Sequence, residues 1–166
     1  SKLNGITFYK DLGTLYDKTQ RVRQLASVIA DIIGANKGDA EIAASICKAD
    51  LVTDLVGEYP ELQGVIGKYF AISQGFSPEI ANAISEHYLP LGPSDKVPKD
   101  KIAICVALAD KLDTLIGFFG IGLKPTSSKD PFALRRAVLG MIRIVIENKL
   151  SISLKELINN AKNLYL

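Results

Sequence analysis

Apolar residues recur every three or four positions along almost the whole chain, and no convincing stretch alternates with a period of two between hairpin turns. This pattern predicts an all-α bundle of about seven helices. The first runs from about Gly13 to Ile33, with Leu15, Val22, Leu25, Ile29 and Ile32 on one face and Lys18, Arg21, Gln24 and Asp31 around the other. A turn over Gly34–Gly38 ends it. A second helix, capped by Asp39, is expected to continue through Ile46 and the Leu51–Val56 apolar cluster until Gly57 and Pro60. A third spans Glu61 to Gln74. Ser77-Pro78 opens a fourth, because serine accepts from first-turn amides and proline at the first helical position loses no hydrogen bond.

After a loop rich in Pro, Gly and Asp at 90–99, the segment from about Asp100 to Phe118 is apolar on most sides and is expected at the centre of the bundle. Asp130-Pro131 starts the next helix, running to about Asn148 with a polar stripe of Arg136, Gly140, Arg143 and Glu147. Ser153 and Glu156 form the capping box of the last.

At 166 residues, 48% hydrophobic and 23% charged, the chain has the size and composition of one globular domain spanning 1–166, able to bury a core without disulfides or a structural metal. Its longest apolar runs, Ile102–Ala109 and Leu115–Leu123, fall far short of the roughly 18–20 residues that cross a bilayer. The N-terminal residues lack the apolar stretch of a secretory signal. The only methionine is Met141, so the chain is expected to be a piece of something longer. Cys47 and Cys105 sit in apolar helical patterns without a C-x-x-C partner and read as buried thiols in a cytoplasmic protein. Net charge is only +2, but residues 1–95 carry 8 basic and 12 acidic side chains, and residues 96–166 carry 12 and 6. The second half is therefore the better place for a polyanion.

Candidate chemistry is sparse. There is one histidine, and no phosphate-binding loop, zinc motif or nucleophile elbow. His87, between Glu86 and Tyr88, reads as a surface cluster at a helix end rather than a catalytic dyad. Asp50 and Asp110 are embedded in apolar helical segments. Either each lies at the surface beside Lys48 or Lys111, or each is buried and needs a partner. Lys124, Lys129, Arg135 and Arg136 gather around a glycine-bearing loop and a helix start, with Arg143 continuing the stripe. They are candidates to meet RNA phosphates together with backbone amides, or else form a solvated face paired with Asp130 and Glu147. Gly117-Phe118-Phe119-Gly120 is expected to pack in the core or between domains rather than stack on bases.

Several longer motifs carry a resemblance: Leu12-Gly13-Thr14-Leu15-Tyr16-Asp17-Lys18, Lys48-Ala49-Asp50-Leu51-Val52-Thr53, Glu61-Leu62-Gln63-Gly64, Glu86-His87-Tyr88, Ala109-Asp110-Lys111-Leu112-Asp113-Thr114-Leu115 and Lys129-Asp130-Pro131-Phe132-Ala133-Leu134-Arg135-Arg136. In this order, from Leu12 to Glu147, they closely resemble the beta subunit of bacterial glycyl-tRNA synthetase. The resemblance implies an internal piece of that longer subunit with an HD-like helical fold. It implies an alpha2beta2 heterotetramer in which the alpha subunit carries the class II core for ATP, Mg2+ and glycine, with tRNA(Gly) as the other partner.

HD-domain phosphohydrolases bind a metal through an early histidine, a His-Asp pair and a later aspartate. Against that pattern the present chain has Lys18, Ala49-Asp50 and Asp110, so both histidines are replaced. The resemblance thus implies no metal, no cofactor in this stretch and no catalytic residue. Its expected role is to bind tRNA and join the assembly, with an active metal phosphohydrolase or a purely structural scaffold as the alternatives. Lys18 is expected to lie between Asp50 and Asp110 in place of the metal.

Overall fold

The computed structural model describes residues 2–165. Among them, eight α-helices carry nearly all the regular structure, joined by one short hairpin that the periodicity did not announce. Its strands, β1 (Thr7–Tyr9) and β2 (Gly13–Thr14), pair antiparallel but are too short to show a period of two. Gly13, which opens β2, has a φ of +82° that favours glycine, and its lack of a Cβ leaves room for the Asp17 carboxylate.

Thr14 then caps α1 (Leu15–Ile33). Its hydroxyl accepts from the Asp17 amide at 3.2 Å, and the Asp17 carboxylate accepts from the Thr14 amide at 2.8 Å. Gly34 ends the helix in the left-handed conformation, close to the expected boundary. The second helix departs from expectation at both ends. Asn36 rather than Asp39 caps α2 (Lys37–Ile46), and the chain does not continue helically to Val56. Thr53 explains the break: its hydroxyl donates to the Asp50 carbonyl at 2.7 Å and accepts from the Val56 amide. It thereby closes a 3-10 turn over Ala49–Val52 and starts the short α3, Asp54–Glu58.

Likewise Gly64, at φ +80°, delays α4 to Val65–Ser73. Ser77 and Pro78 open α5 (Pro78–Glu86) as their chemistry requires. The centre is α6 (Lys101–Gly120), started by the Asp100 carboxylate on the Ile102 and Ala103 amides. It packs against α1, α2 and α5, and against the last two helices. Fifteen of its twenty residues are buried, so it forms the axis around which the others assemble.

The next helix, α7 (Leu134–Glu147), begins later than Asp130-Pro131 suggested. Ala133 takes a left-handed φ of 52°, and the Asp130 carboxylate reaches past it to the Leu134 and Arg135 amides, at 2.9 Å each. In α8 (Leu154–Asn163) the Ser153 hydroxyl accepts from the Glu156 amide, and the return bond of the expected box is absent.

Phe118 packs inward against Phe8, Tyr9 and Phe132, stacking on the last at 4.2 Å, whereas Phe119 stays exposed. Cys47 and Cys105 are unbridged and buried, and burial pushes both thiols up to about 12.

Candidate functional site: a buried charge hub and a basic loop

The middle of α6 carries Asp110, Asp113 and Thr114 on the face turned toward α1, which presents Lys18 and Arg21 at the same spacing. Lys18 Nζ donates to Asp113 Oδ2 at 3.0 Å, Thr114 Oγ1 at 2.8 Å and the Asp110 carbonyl at 3.4 Å, and lies 3.3 Å from Asp110 Oδ1. Arg21 Nε meets Asp113 Oδ1 at 2.7 Å, with the Tyr165 hydroxyl donating to the same oxygen at 2.8 Å. The Lys18 ammonium sits 4.5 Å from the Phe8 ring centre and the Arg21 guanidinium 4.4 Å from that of Tyr165.

A second half of the hub lies on the other side of Asp110. Lys48, 6% exposed, donates to Asp110 Oδ2 at 3.2 Å and stands 2.9 Å from His87 Nε2. His87 Nδ1 faces the Ile84 carbonyl at 2.7 Å. That carbonyl can only accept, so Nδ1 carries the ring proton and Nε2 accepts from Lys48. Lys111 donates to the His87 carbonyl at 2.9 Å.

Electrostatics follow from these contacts. Burial disfavours the charge on Asp110, but the nearby Lys48 and Lys18 outweigh it and hold the carboxyl well below the usual range. Burial also disfavours the Lys48 charge, and Asp110 reverses that and holds its ammonium above the ordinary lysine value. His87 moves the other way, to about 3, through burial and then repulsion from Lys48. Lys111 falls to about 8, through burial together with the neighbouring Lys48 and Arg136.

Two expectations, for Lys18 and His87, are corrected here, and of the two alternatives for Asp50 and Asp110 the buried, partnered one holds. Lys18 does not bridge Asp50 and Asp110; it bridges Asp110 and Asp113. Asp50, 1% exposed, instead receives the Gly64 and Gly67 amides on Oδ2 at 2.6 and 3.1 Å. Gly67 is a close approach, since a Cβ there would stand 3.0 Å from that oxygen. Neither Asp50 nor Asp110 is a surface acid beside a lysine, because Lys48 and Lys111 are themselves buried. His87 is fully buried rather than part of a surface cluster. Sequence reasoning misses Asp113, Arg21 and Tyr165 as members of the hub, although Lys18/Arg21 and Asp110/Asp113 share a spacing of three that foreshadows facing pairs. Among the described residues, no three His, Cys, Asp or Glu side chains gather in a form that could hold a metal ion.

The basic candidates lie at the N-terminal end of α7. Lys124, Lys129, Arg135 and Arg136 are exposed. The Arg135 guanidinium donates to the Thr126 carbonyl, and Thr126 also exchanges bonds with the Lys129 backbone, which folds the loop back onto the helix start. Asp130 occupies two first-turn amides, so the side chains rather than the helix terminus face an incoming anion. Arg143 ties α7 to the loop before α6, pairing with Glu147 at 2.8 Å and donating to the carbonyls of Gly92, Pro93 and Asp95. Gly140, expected in the polar stripe, is buried against Lys111 and Pro90.

The family model of the glycyl-tRNA synthetase beta subunit matches residues 1–166. The chain belongs to this family. It is 51% identical over 160 residues to the glycine–tRNA ligase beta subunit of Acinetobacter baumannii, which covers 96% of this chain and 23% of the relative. The corresponding subunits of Phenylobacterium zucineum and Rhodospirillum centenum are 51% and 52% identical over 162 residues, covering 96% of this chain and 24% and 23% of their own. The chain thus spans about a quarter of the length of the curated relatives it matches. Within this part of a glycyl-tRNA synthetase beta subunit, the described residues include no helix long and apolar enough to cross a membrane.

Proposed function

We propose that these residues form an HD-like domain of the beta subunit that is catalytically inert, binds tRNA(Gly) and supports the alpha2beta2 assembly in the cytoplasm. The alpha subunit then performs the ATP- and Mg2+-dependent ligation of glycine. The observation that carries the inert part of this reading is the occupancy of Asp110 by the chain's own cations. Lys18 and Lys48 stand on either side of its carboxylate, so a divalent ion there would be opposed by two ammonium groups. A hydrolytic metal centre needs the opposite arrangement, with convergent anionic or neutral ligands and an open coordination position. This disfavours the phosphohydrolase reading.

The tRNA part is supported by the exposed cations Lys124, Lys129, Arg135 and Arg136, clustered in the more basic half of the chain. Phosphate contacts of this kind set affinity and register without reading sequence. The test is a fluorescence-anisotropy titration of the beta subunit with tRNA(Gly) and an unrelated tRNA across a salt series. Wild type is expected to weaken as salt rises, and Arg135→Glu/Arg136→Glu to show a log–log slope shallower by about two, one for each phosphate that the variant no longer neutralises. Equal slopes would remove RNA from this face and leave a scaffold.

A further inference from the structure

We infer that the outer face of α7, with the grooves on either side of it, docks an amphipathic, acid-flanked helix from another part of the same beta-subunit polypeptide.

The first observation is that α7 is apolar on two faces. Leu134, Met141 and Ile144 point into the core, as one apolar stripe should. Yet Val138, Leu139, Ile142 and Ile146 are exposed, Leu139 to 61% and Ile146 to 68%, and Phe119 at the end of α6 adds a fifth large apolar side chain at 43%. Helices apolar on two sides lie between two packed bodies. Residues 2–165 supply only one.

The second observation is shape. Two grooves of about 380 Å³ each flank the α7 ridge and share Ile142. One is floored by Leu115, Ile116, Ile158 and Phe119, the other by Pro90, Leu91 and Leu139. Each is the size of a few large side chains, and parallel grooves beside a helical ridge suit residues spaced three and four apart on an incoming helix.

Charge selects the occupant. The charged side chains lining the grooves are Arg135, Arg136, Arg143 and Lys162; Arg143 is already paired with Glu147, which leaves Arg135, Arg136 and Lys162 to meet an incoming acid. A second copy docking face to face would bring these cations together, and RNA would leave Leu139 and Ile146 without apolar partners. A helix with aliphatic side chains and flanking Asp or Glu satisfies both features. The source follows from length. The matched stretch is only 23–24% of the relatives, so in a subunit of their length most of the polypeptide would lie outside it and be held nearby by covalent connection. This inference rests on family membership and shares Arg135 and Arg136 with the proposed tRNA contact; a crosslinked peptide reads it separately from RNA binding.

The test uses the full-length beta subunit with the photo-reactive residue p-benzoyl-phenylalanine replacing Leu139 or Ile146. Crosslinks read by mass spectrometry are expected within one chain, to a peptide outside these 166 residues with aliphatic residues at helical spacing and net negative charge. Adding alpha subunit should leave them unchanged, because the occupant belongs to the same chain. In parallel, maleimide should label Ile146→Cys at least tenfold more slowly than the exposed control Lys155→Cys. The native Cys47 and Cys105 thiols are buried and compete little. Crosslinks to the alpha subunit, to a second beta chain or to RNA, or equal labelling of the two cysteines, would overturn the inference.

Discussion

At the residue scale the informative group is His87, fully buried and held neutral between a carbonyl on Nδ1 and an ammonium on Nε2. Protonating the ring would turn its bond with Lys48 into a repulsion between two cations. Its value of about 3 in the folded chain lies below the ordinary 6.5, so from pH 6.5 downward the unfolded chain binds a proton that the folded chain refuses. Stability is then expected to fall as pH falls through that window, by roughly 1 kcal/mol per pH unit. Asp110 acts in the same direction but only at lower pH, because its carboxyl is held below the usual carboxylate range. Urea midpoints measured between about pH 4.5 and 7 should therefore decline steadily on the acid side. A flat profile would mean that His87 titrates in the folded state and that the Lys48 contact does not hold.

At the scale of elements, the hub is a clamp between α1 and α6 made by two pairs three residues apart. The match of Lys18 and Arg21 to Asp110 and Asp113 fixes the rotation of both helices, since slipping either by one residue would bury an unpaired charge. Lys18→Met should cost about 3–5 kcal/mol in equilibrium unfolding, through the buried acids it leaves behind. An unchanged midpoint would show that Lys48 and Arg21 suffice without it.

The elements also differ in how far the sequence disclosed them. Whereas the capping box of Thr14 and Asp17 went unread, the C-terminal end of α1 was legible because Gly34 acts at the boundary itself, and α6 because it is apolar almost all round. The break after Ile46 was not, since it depends on Thr53 and Asp50 making side-chain and turn contacts that compete with the helix. Asp50 and Asp110 stood out as acids in apolar segments, whereas Lys18 fell on the polar side of its helix and was singled out only by the family resemblance. The contact of Lys18 with Asp110 was expected, but Asp113 in place of Asp50 was not, because which second acid meets the lysine is decided by helix packing across about ninety residues of chain.

At the scale of the whole molecule, charge and exposed apolar area divide the surface. The loop and helix start around Lys124, Lys129 and Arg135 face solvent as cations, while the outer side of α7 presents aliphatic ridges and grooves. A domain built to grip RNA at one end and its own subunit along a neighbouring face would couple tRNA capture to the assembly without touching the reacting atoms.

Steady-state aminoacylation by the reconstituted alpha2beta2 enzyme tests that claim most directly, comparing wild type with Lys129→Glu/Arg135→Glu in the beta subunit. If the face only binds, KM for tRNA(Gly) should rise about tenfold, equivalent to about 1.4 kcal/mol, with kcat unchanged. An unaltered KM, or a kcat that falls while KM stays constant, would contradict a binding role for this domain.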